Sequence, residues 1–104
     1  MDQNAWHTIE SLVTWLDEKS PLTPDADRLL RIMKISEEVG EANQAVIGVL
    51  GHNPRKGVTH TWEDVHAELS DVILTAMVAL STLTPDASKV FQCHLERVAE
   101  RSLA

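Results

Sequence analysis

Five acidic side chains fall into two short groups whose spacing could hold a divalent cation. The first group is Glu37, Glu38 and Glu41, and the second is Glu68 and Asp71. Residues three or four positions apart share one face of a helix, so each group would present neighbouring carboxylates. Mg²⁺ and Mn²⁺ prefer such oxygen ligands. Acidic side chains are most often simply solvated. The neighbouring residues therefore decide whether these acids form a cation site or a solvated surface.

The residues around these acids favour a buried site. No Lys or Arg stands four positions after Glu38, Glu41, Glu68 or Asp71, where it could form a stabilising pair. After Asp71 the segment 72–80 is apolar around nearly its whole circumference, which is typical of a buried helix. Burial of unpaired carboxylates is unfavourable unless they are protonated or bind cations. We therefore expect the two groups to face each other near the interior and to hold divalent cations.

The ligand types favour magnesium over zinc or iron. No His or Cys joins the acids at ligand spacing, which disfavours zinc and the Glu-x-x-His pattern of di-iron bundles. A carboxylate-bound Mg²⁺ polarises phosphoryl oxygens and lowers the pKa of a bound water. A set of carboxylate ligands without His or Cys is therefore typical of enzymes that act on phosphate esters and anhydrides.

Capping residues and prolines divide the chain into helices that would position these acids. Thr23 followed by Pro24 predicts one helix start, and Thr61 predicts another. Gly51 is the predicted end of the second helix, although Gly48 could end it one turn sooner. No segment alternates like a half-buried strand. The prediction is a single all-α domain over residues 1–104, with helices at about 2–17, 24–50, from Thr61 to 83, and 88–102.

Composition excludes several other classes of protein. The net charge of −7 argues against a nucleic-acid polymer as partner, since such binding relies on cationic side chains. No uncharged apolar run reaches the roughly 20 residues of a membrane span, and the first residues lack the pattern of a signal peptide. Cys93 is the single cysteine, so no intrachain disulfide is expected. We expect a cytoplasmic protein that does not bind membranes.

The two acidic groups resemble a known family motif. Glu37-Glu38-Val39-Gly40-Glu41 is followed after 26 residues by Glu68-Leu69-Ser70-Asp71, which is similar to the EExxE…ExxD signature of the MazG-like all-α nucleoside triphosphate pyrophosphohydrolases. That family includes dCTP pyrophosphatases, dimeric dUTPases and phosphoribosyl-ATP pyrophosphatase. The resemblance implies an oligomeric four-helix MazG-like bundle. It also implies Mg²⁺-dependent hydrolysis of a nucleoside or deoxynucleoside triphosphate to the monophosphate and pyrophosphate, with Mn²⁺ as a possible substitute, as nucleotide-pool house-cleaning.

The resemblance also implies a role for each acid of the motif. By position in the motif, Glu38, Glu41, Glu68 and Asp71 would bind Mg²⁺. Glu37 and Glu38 would form the catalytic group. Glu37 varies among relatives; it could bind a second metal, orient the attacking water as general base, or be solvated.

Three basic residues are candidates for binding substrate phosphates. Lys34 precedes Glu38 by four residues, so it either forms an ordinary ion pair or reaches a phosphate. In the last helix, Arg97 and Arg101 stand where relatives often carry Lys…Asn or Lys…Arg. Neighbouring glutamates make solvated ion pairs an equally good interpretation of these two arginines.

The loop and the tryptophans leave two interpretations open. Arg55 and Lys56 could close over a triphosphate or could form a plain surface turn. Trp15 and Trp62 could stack on a base, although packing in the core is commoner. The sequence does not specify the base or the sugar.

The apolar segment 72–80 also favours assembly, because so short a chain cannot easily cover it. We expect a homodimer or homotetramer, as the resemblance also implies. Three alternatives to an enzyme that hydrolyses a standard nucleoside triphosphate remain. These are a pyrophosphohydrolase for a phosphoribosyl or damaged nucleotide, a non-catalytic Mg²⁺-binding regulatory or interaction protein, and a purely structural acidic bundle.

Overall fold

The computed structural model describes residues 3–103 and consists of helices joined by short loops. The helices are α1 (Gln3–Lys19), α2 (Pro24–Leu50), α3 (Trp62–Leu83) and α4 (Ala87–Leu103). No strand occurs in this described range, so the all-α prediction is confirmed. The predicted helix ends agree with the structure to within two residues, except that Asp2, the predicted start of α1, lies outside the described residues.

Side-chain caps explain why α2 and α3 begin where they do. The Thr23 hydroxyl accepts a hydrogen bond from the Ala26 N–H at 3.2 Å, and Pro24 occupies the first turn. At α3, Thr61 and Asp64 form a reciprocal capping box, with side chain to backbone distances of 3.2 and 2.9 Å. The hydrogen bond from the Thr61 backbone lowers the pKa of the Asp64 carboxyl, because it stabilises the charged form.

Helices α2 and α3 form an antiparallel hairpin. Near the connecting loop, the Thr59 N–H donates to the carbonyl of Gly48 at 3.0 Å. At the opposite end, the Arg31 guanidinium donates to the hydroxyl of Thr82 at 3.1 Å. The hairpin therefore aligns the middle of α2 with the middle of α3, where the two acidic groups lie.

The buried face of α2 is made of small residues. Ala42, Ala45 and Gly48 are buried, whereas Leu29 and Met33 are each 63% exposed. The large apolar side chains of α2 therefore do not pack into the core as one continuous stripe, although Ile35, Val46 and Val49 are half-buried. The side of α2 that carries these small residues packs against α3 and the loop before it. No other described helix packs extensively on α2. The large side chains left uncovered on α2 are Leu29, Leu30, Ile32, Met33, Val39, Ile47 and Leu50.

A separate apolar core joins α1, α3 and α4. Trp6 and Ile9 of α1 are buried against Met77 of α3 and Ala87 of α4. The Trp6 ring also contacts Phe91 of α4, with centroids 6.2 Å apart. These contacts make α3 the helix on which the other described helices pack.

The chain is flat, and α3 stays partly uncovered. Its radius of gyration is 16.7 Å, whereas a compact chain of this length has about 13 Å. In the segment 72–80, Thr75 and residues 77–79 are buried, but Ile73 and Leu74 are exposed. The expectation that this segment is buried all round is therefore wrong within one chain, because no described helix covers the side that carries Ile73 and Leu74.

The length of α3 also bears on the membrane question. The sequence contains no uncharged apolar run as long as a membrane span, but α3 at 22 residues is long and apolar enough to cross a membrane by length and composition. About 28% of its most apolar window is buried in the structure. Core helices of soluble proteins pass the same test, so this observation alone is weak evidence for a membrane partner.

Arg31 links the first three helices through a nearly buried guanidinium. Its side chain is 12% exposed and lies 2.7 Å from Asp17 of α1 and 3.7 Å from Asp27 of α2. The same group donates to Thr82 of α3. A charge with these partners fixes how α1 and the α2–α3 hairpin meet.

We expect Arg31→Met to lower the free energy of unfolding by about 1–3 kcal/mol, because Asp27 is left shielded without its cation. Arg28→Met is the matched control on the same helix, since Arg28 forms only an exposed pair with Asp25 and its loss costs at most about 1 kcal/mol. Urea unfolding of both variants measures the difference. Equal destabilisation of the two variants would show that the Arg31 network does not hold the helices together.

Two glycines of α2 should respond in opposite ways to alanine. At Gly48 an added Cβ would collide with the His60 ring and lie 2.6 Å from the Thr59 hydroxyl. Gly48→Ala should therefore destabilise the fold by about 1–3 kcal/mol. At Gly40 no atom lies within 4 Å of such a Cβ, so Gly40→Ala should stabilise the helix by about 0.5–1 kcal/mol. Thermal unfolding of both variants tests this, and a neutral Gly48→Ala would contradict the observed loop packing.

Candidate metal centre

Three of the predicted metal ligands converge between the two helices of the hairpin. Glu38 and Glu41 project from α2, and Glu68 projects from the facing turn of α3. One carboxylate oxygen from each lies within 4.8 Å of the others. We call these three residues the carboxylate cluster. Their convergence is what the spacing on two antiparallel helices predicts, and a single cation could contact all three.

The carboxylate cluster is partly shielded from water. The Glu38 side chain is 12% exposed, and Glu68 is half-buried. Oε2 of Glu68 is inaccessible to solvent and has no hydrogen-bond partner among residues 3–103. A shielded carboxylate oxygen without a donor is unfavourable. The arrangement therefore offers a cation an oxygen that the described protein groups do not satisfy.

Lys34 lies at the edge of the carboxylate cluster. Its ammonium is 3.3 Å from Oε2 of Glu37 and 3.6 Å from Oε1 of Glu38. The hydrogen bond and the negative charge of Glu37 raise the pKa of Lys34, with a smaller contribution from Glu38. The ion-pair interpretation of Lys34 therefore describes the structure as it stands. One ammonium offsets only part of the charge of the three clustered carboxylates.

Glu37 and Asp71 lie outside the carboxylate cluster. The Glu37 side chain is 70% exposed and is paired with Lys34. Asp71 is exposed on α3, one turn after Glu68, and does not join the three converging oxygens. The expectation that both acidic groups meet in a buried interior is therefore wrong for Asp71 and for Glu41, which is also exposed. The reason is that α2 and α3 pack as a pair, with no other described helix packed extensively on α2.

The two arginines of α4 are exposed. Within the described range, neither Arg97 nor Arg101 forms an ion pair with the carboxylate cluster or with Glu96 and Glu100. Glu96 instead accepts a hydrogen bond from Gln92 at 3.2 Å. Both guanidinium groups are thus available to a ligand, but neither is paired with the carboxylate cluster.

The tryptophans and the basic loop residues lie on the surface. Trp15 is 55% exposed and Trp62 is 54% exposed, so neither ring is packed in the core and both are accessible to a ligand. Arg55 and Lys56 are exposed in a turn, where the Arg55 N–H donates to the side chain of Asn53 at 3.0 Å. This geometry is that of a surface turn, and it leaves both charged groups accessible.

A cavity beside the C-terminal part of α2 was not expected from the sequence. It has a volume of about 230 Å³ and lies where the loop after α2 returns against Gly48. Gln44 and His60 line it, and sequence analysis gave neither residue a role. The spacing of Gln44, three residues after Glu41, was the one available signal. The rest of the cavity depends on how the loop folds back, which periodicity does not reveal.

Comparison with known proteins finds no match: no family model, no curated protein and no solved structure matches this chain. The resemblance to the MazG-like motif therefore stays a prediction, and the geometry of the carboxylate cluster must carry the functional argument.

Removing one charge from the carboxylate cluster should stabilise the metal-free protein. Glu68→Gln keeps the shape of the side chain and relieves repulsion from Glu38 and Glu41. We therefore expect its free energy of unfolding in the presence of chelator to exceed that of the wild type by about 0.5 kcal/mol. Millimolar Mg²⁺ should stabilise the wild type but not the variant, because a ligand of the native state raises its stability.

Glu37→Gln is the matched control, since Glu37 lies outside the carboxylate cluster and is paired with Lys34. It should not gain stability in chelator, and it should keep the response to Mg²⁺. Urea unfolding with and without Mg²⁺ measures both effects. A wild type and a Glu68→Gln variant that respond identically to Mg²⁺ would contradict cation binding at these carboxylates.

Proposed function

We propose that this chain is a divalent-cation-dependent pyrophosphohydrolase, which cleaves a nucleoside or deoxynucleoside triphosphate to the monophosphate and pyrophosphate. The observation that carries the proposal is the convergence of Glu38, Glu41 and Glu68 from facing helices, with one oxygen of Glu68 shielded and unpartnered. Hard cations satisfy such oxygens, and Mg²⁺ or Mn²⁺ is the proposed cofactor. The MazG-like motif that these residues resemble supports the same reaction.

The ligand set leaves room for a phosphate. Mg²⁺ in phosphate-handling sites is held by few carboxylates and completes its octahedron with water and substrate oxygens. Glu38, Glu41 and Glu68 would hold the ion, and the resemblance adds Asp71, which lies one turn along α3 from Glu68. When bound, the ion polarises phosphoryl oxygens and lowers the pKa of a bound water.

Residues outside the carboxylate cluster have distinct proposed roles. In the reaction a water oxygen bonds to the α-phosphorus, the bridging α–β P–O bond breaks, and pyrophosphate leaves. The exposed carboxylate of Glu37 is suited to accept the proton of that water. Lys34 already lies between Glu37 and Glu38 and could turn to a substrate phosphate. Arg97 and Arg101 are proposed phosphate contacts on the strength of their exposure and of the resemblance alone.

We also propose that the functional form is a homodimer or homotetramer of MazG-like bundles. A radius of gyration well above that of a compact chain and the exposed apolar side chains of α2 and α3 support assembly. Beside Ile73, an apolar groove of about 340 Å³ runs between α3 and Phe91. The cytoplasm is the proposed compartment, since Cys93 is exposed and free.

A second candidate is a non-catalytic Mg²⁺-binding regulatory or interaction protein. The observation that favours it is that Asp71, Arg97 and Arg101 are not drawn together with the carboxylate cluster. Such a protein would bind Mg²⁺ with saturation and release no pyrophosphate from any nucleotide. A phosphoribosyl or damaged nucleotide is the alternative substrate within the enzymatic proposal.

The deciding experiment measures pyrophosphate release across a nucleotide panel with Mg²⁺, with Mn²⁺ and with chelator. The panel includes standard, phosphoribosyl and oxidised nucleotides. We expect turnover that needs the cation and falls by more than about 100-fold in Glu38→Gln and Glu68→Gln, since each removes a ligand. Asp71→Asn tests the fourth proposed ligand in the same assay.

Glu63→Gln is the matched control, because Glu63 is an exposed acid in the first turn of α3. It should keep wild-type turnover. Activity that survives in Glu38→Gln, or that persists in chelator, would refute the proposed metal-dependent mechanism.

A further inference from the structure

The cavity beside α2, which we call the loop pocket, is lined largely by polar side chains, and some of them have no partner within residues 3–103. The side-chain amide of Gln44 and the ammonium of Lys56 line it, and neither forms a hydrogen bond or ion pair within residues 3–103. Asn53 also lines it; its Oδ1 accepts from the Arg55 N–H, and its amide N–H groups form no hydrogen bond within residues 3–103. The loop pocket thus offers both donors and acceptors to a small polar molecule.

One wall of the loop pocket is an aromatic ring in a fixed position. His60 lies directly against Gly48, where any larger residue would collide with the ring. The hydroxyl of Thr59 shares a hydrogen bond with Nδ1 of His60 at 2.9 Å, which orients the imidazole. The second nitrogen, Nε2, has no partner in the described part of the chain. A planar ligand could therefore pack against the ring or hydrogen-bond to its free nitrogen.

The loop pocket continues the face of α2 that carries the carboxylate cluster. Gln44 follows Glu41 by three residues and Gly48 follows it by seven, so all three lie on one side of the helix. At the rise of an α-helix, the pocket spans about 5–10 Å from Glu41 along the axis. That separation is comparable with the distance from the α-phosphate of an extended nucleotide to its base.

We infer that the loop pocket binds the base and sugar of the substrate whose phosphates lie at the carboxylate cluster. This inference rests on the proposed function. Nucleobases are planar and carry donors and acceptors along their edges, which matches an amide, an imidazole face and a second amide around one cavity. Gln44 is the specificity-determining residue, because its amide lies nearest along the helix to the metal ligands. Gly48 has a positional role, since its missing side chain admits the His60 ring.

The test compares two substitutions of Gln44 with a neighbouring control. Gln44→Ala removes the amide at an exposed helical position, and alanine has a high helix propensity, so the helix should be preserved. Gln44→Glu keeps the size but loses the N–H donors. Asn43→Ala is the control, because Asn43 is an exposed amide on the same helix that does not line the loop pocket. The measurements are KM and kcat for nucleotides of each base, together with the affinity for Mg²⁺ alone by titration calorimetry.

We expect Gln44→Ala to raise KM for the preferred nucleotide about 5- to 10-fold, as the loss of one hydrogen bond implies. Its kcat and its Mg²⁺ affinity should stay within about twofold of the wild type, as should all parameters of Asn43→Ala. Gln44→Glu should change the order of preference among bases, which a merely structural role would not do.

The outcomes separate the inference from the function on which it rests. Nucleotide hydrolysis with the same KM and the same base preference in wild type and both Gln44 variants would overturn the inference and leave the proposed function standing. A parallel loss of Mg²⁺ affinity in Gln44→Ala would also overturn it, since Gln44 would then act on the metal. No hydrolysis of any nucleotide by the wild type would overturn the proposed function, and the inference with it.

Discussion

Three carboxylates of like charge are held within 4.8 Å of one another by the packing of two antiparallel helices. The small residues Ala42 and Ala45 on the buried face of α2 let the helices approach closely, and Gly48 makes room for the loop that precedes α3. This close approach brings acids on opposite helices into one group. The carboxylate cluster therefore follows from the way α2 and α3 pack, and folding must act against its repulsion unless a cation is present.

The same close packing explains why so much apolar surface is exposed. A helix that buries its small residues must direct its large ones elsewhere, and on α2 these are Leu29, Met33 and their neighbours. Meanwhile α3 contacts α1 and α4 through a separate core around Trp6 and Met77. The flat chain thus has one surface that carries the carboxylate cluster and others on which large apolar side chains of α2 and α3 are exposed.

Local signals in the sequence predicted the helices well, because caps and prolines act over a few residues. Thr23, Thr61 and Gly51 mark helix ends that the structure confirms. Spacing also predicted that Glu38, Glu41 and Glu68 share facing sides of two helices. Burial was harder to predict, since it depends on which helix covers which.

The errors in the sequence analysis have the same origin. Asp71 has the spacing of a ligand, but no described helix shields it from solvent. The loop pocket exists because residues 59–60, at the end of the loop that follows α2, fold back against Gly48. Helical periodicity contains no information about such a return.

The most direct test of the metal centre is to locate a bound ion by its paramagnetic effect. Sub-stoichiometric Mn²⁺ should broaden the backbone NMR signals of residues near Glu38, Glu41 and Glu68 first, and excess Mg²⁺ should restore them. Broadening spread evenly over the sixteen acidic residues of the chain, or centred on another group of acids, would contradict a metal centre at the carboxylate cluster.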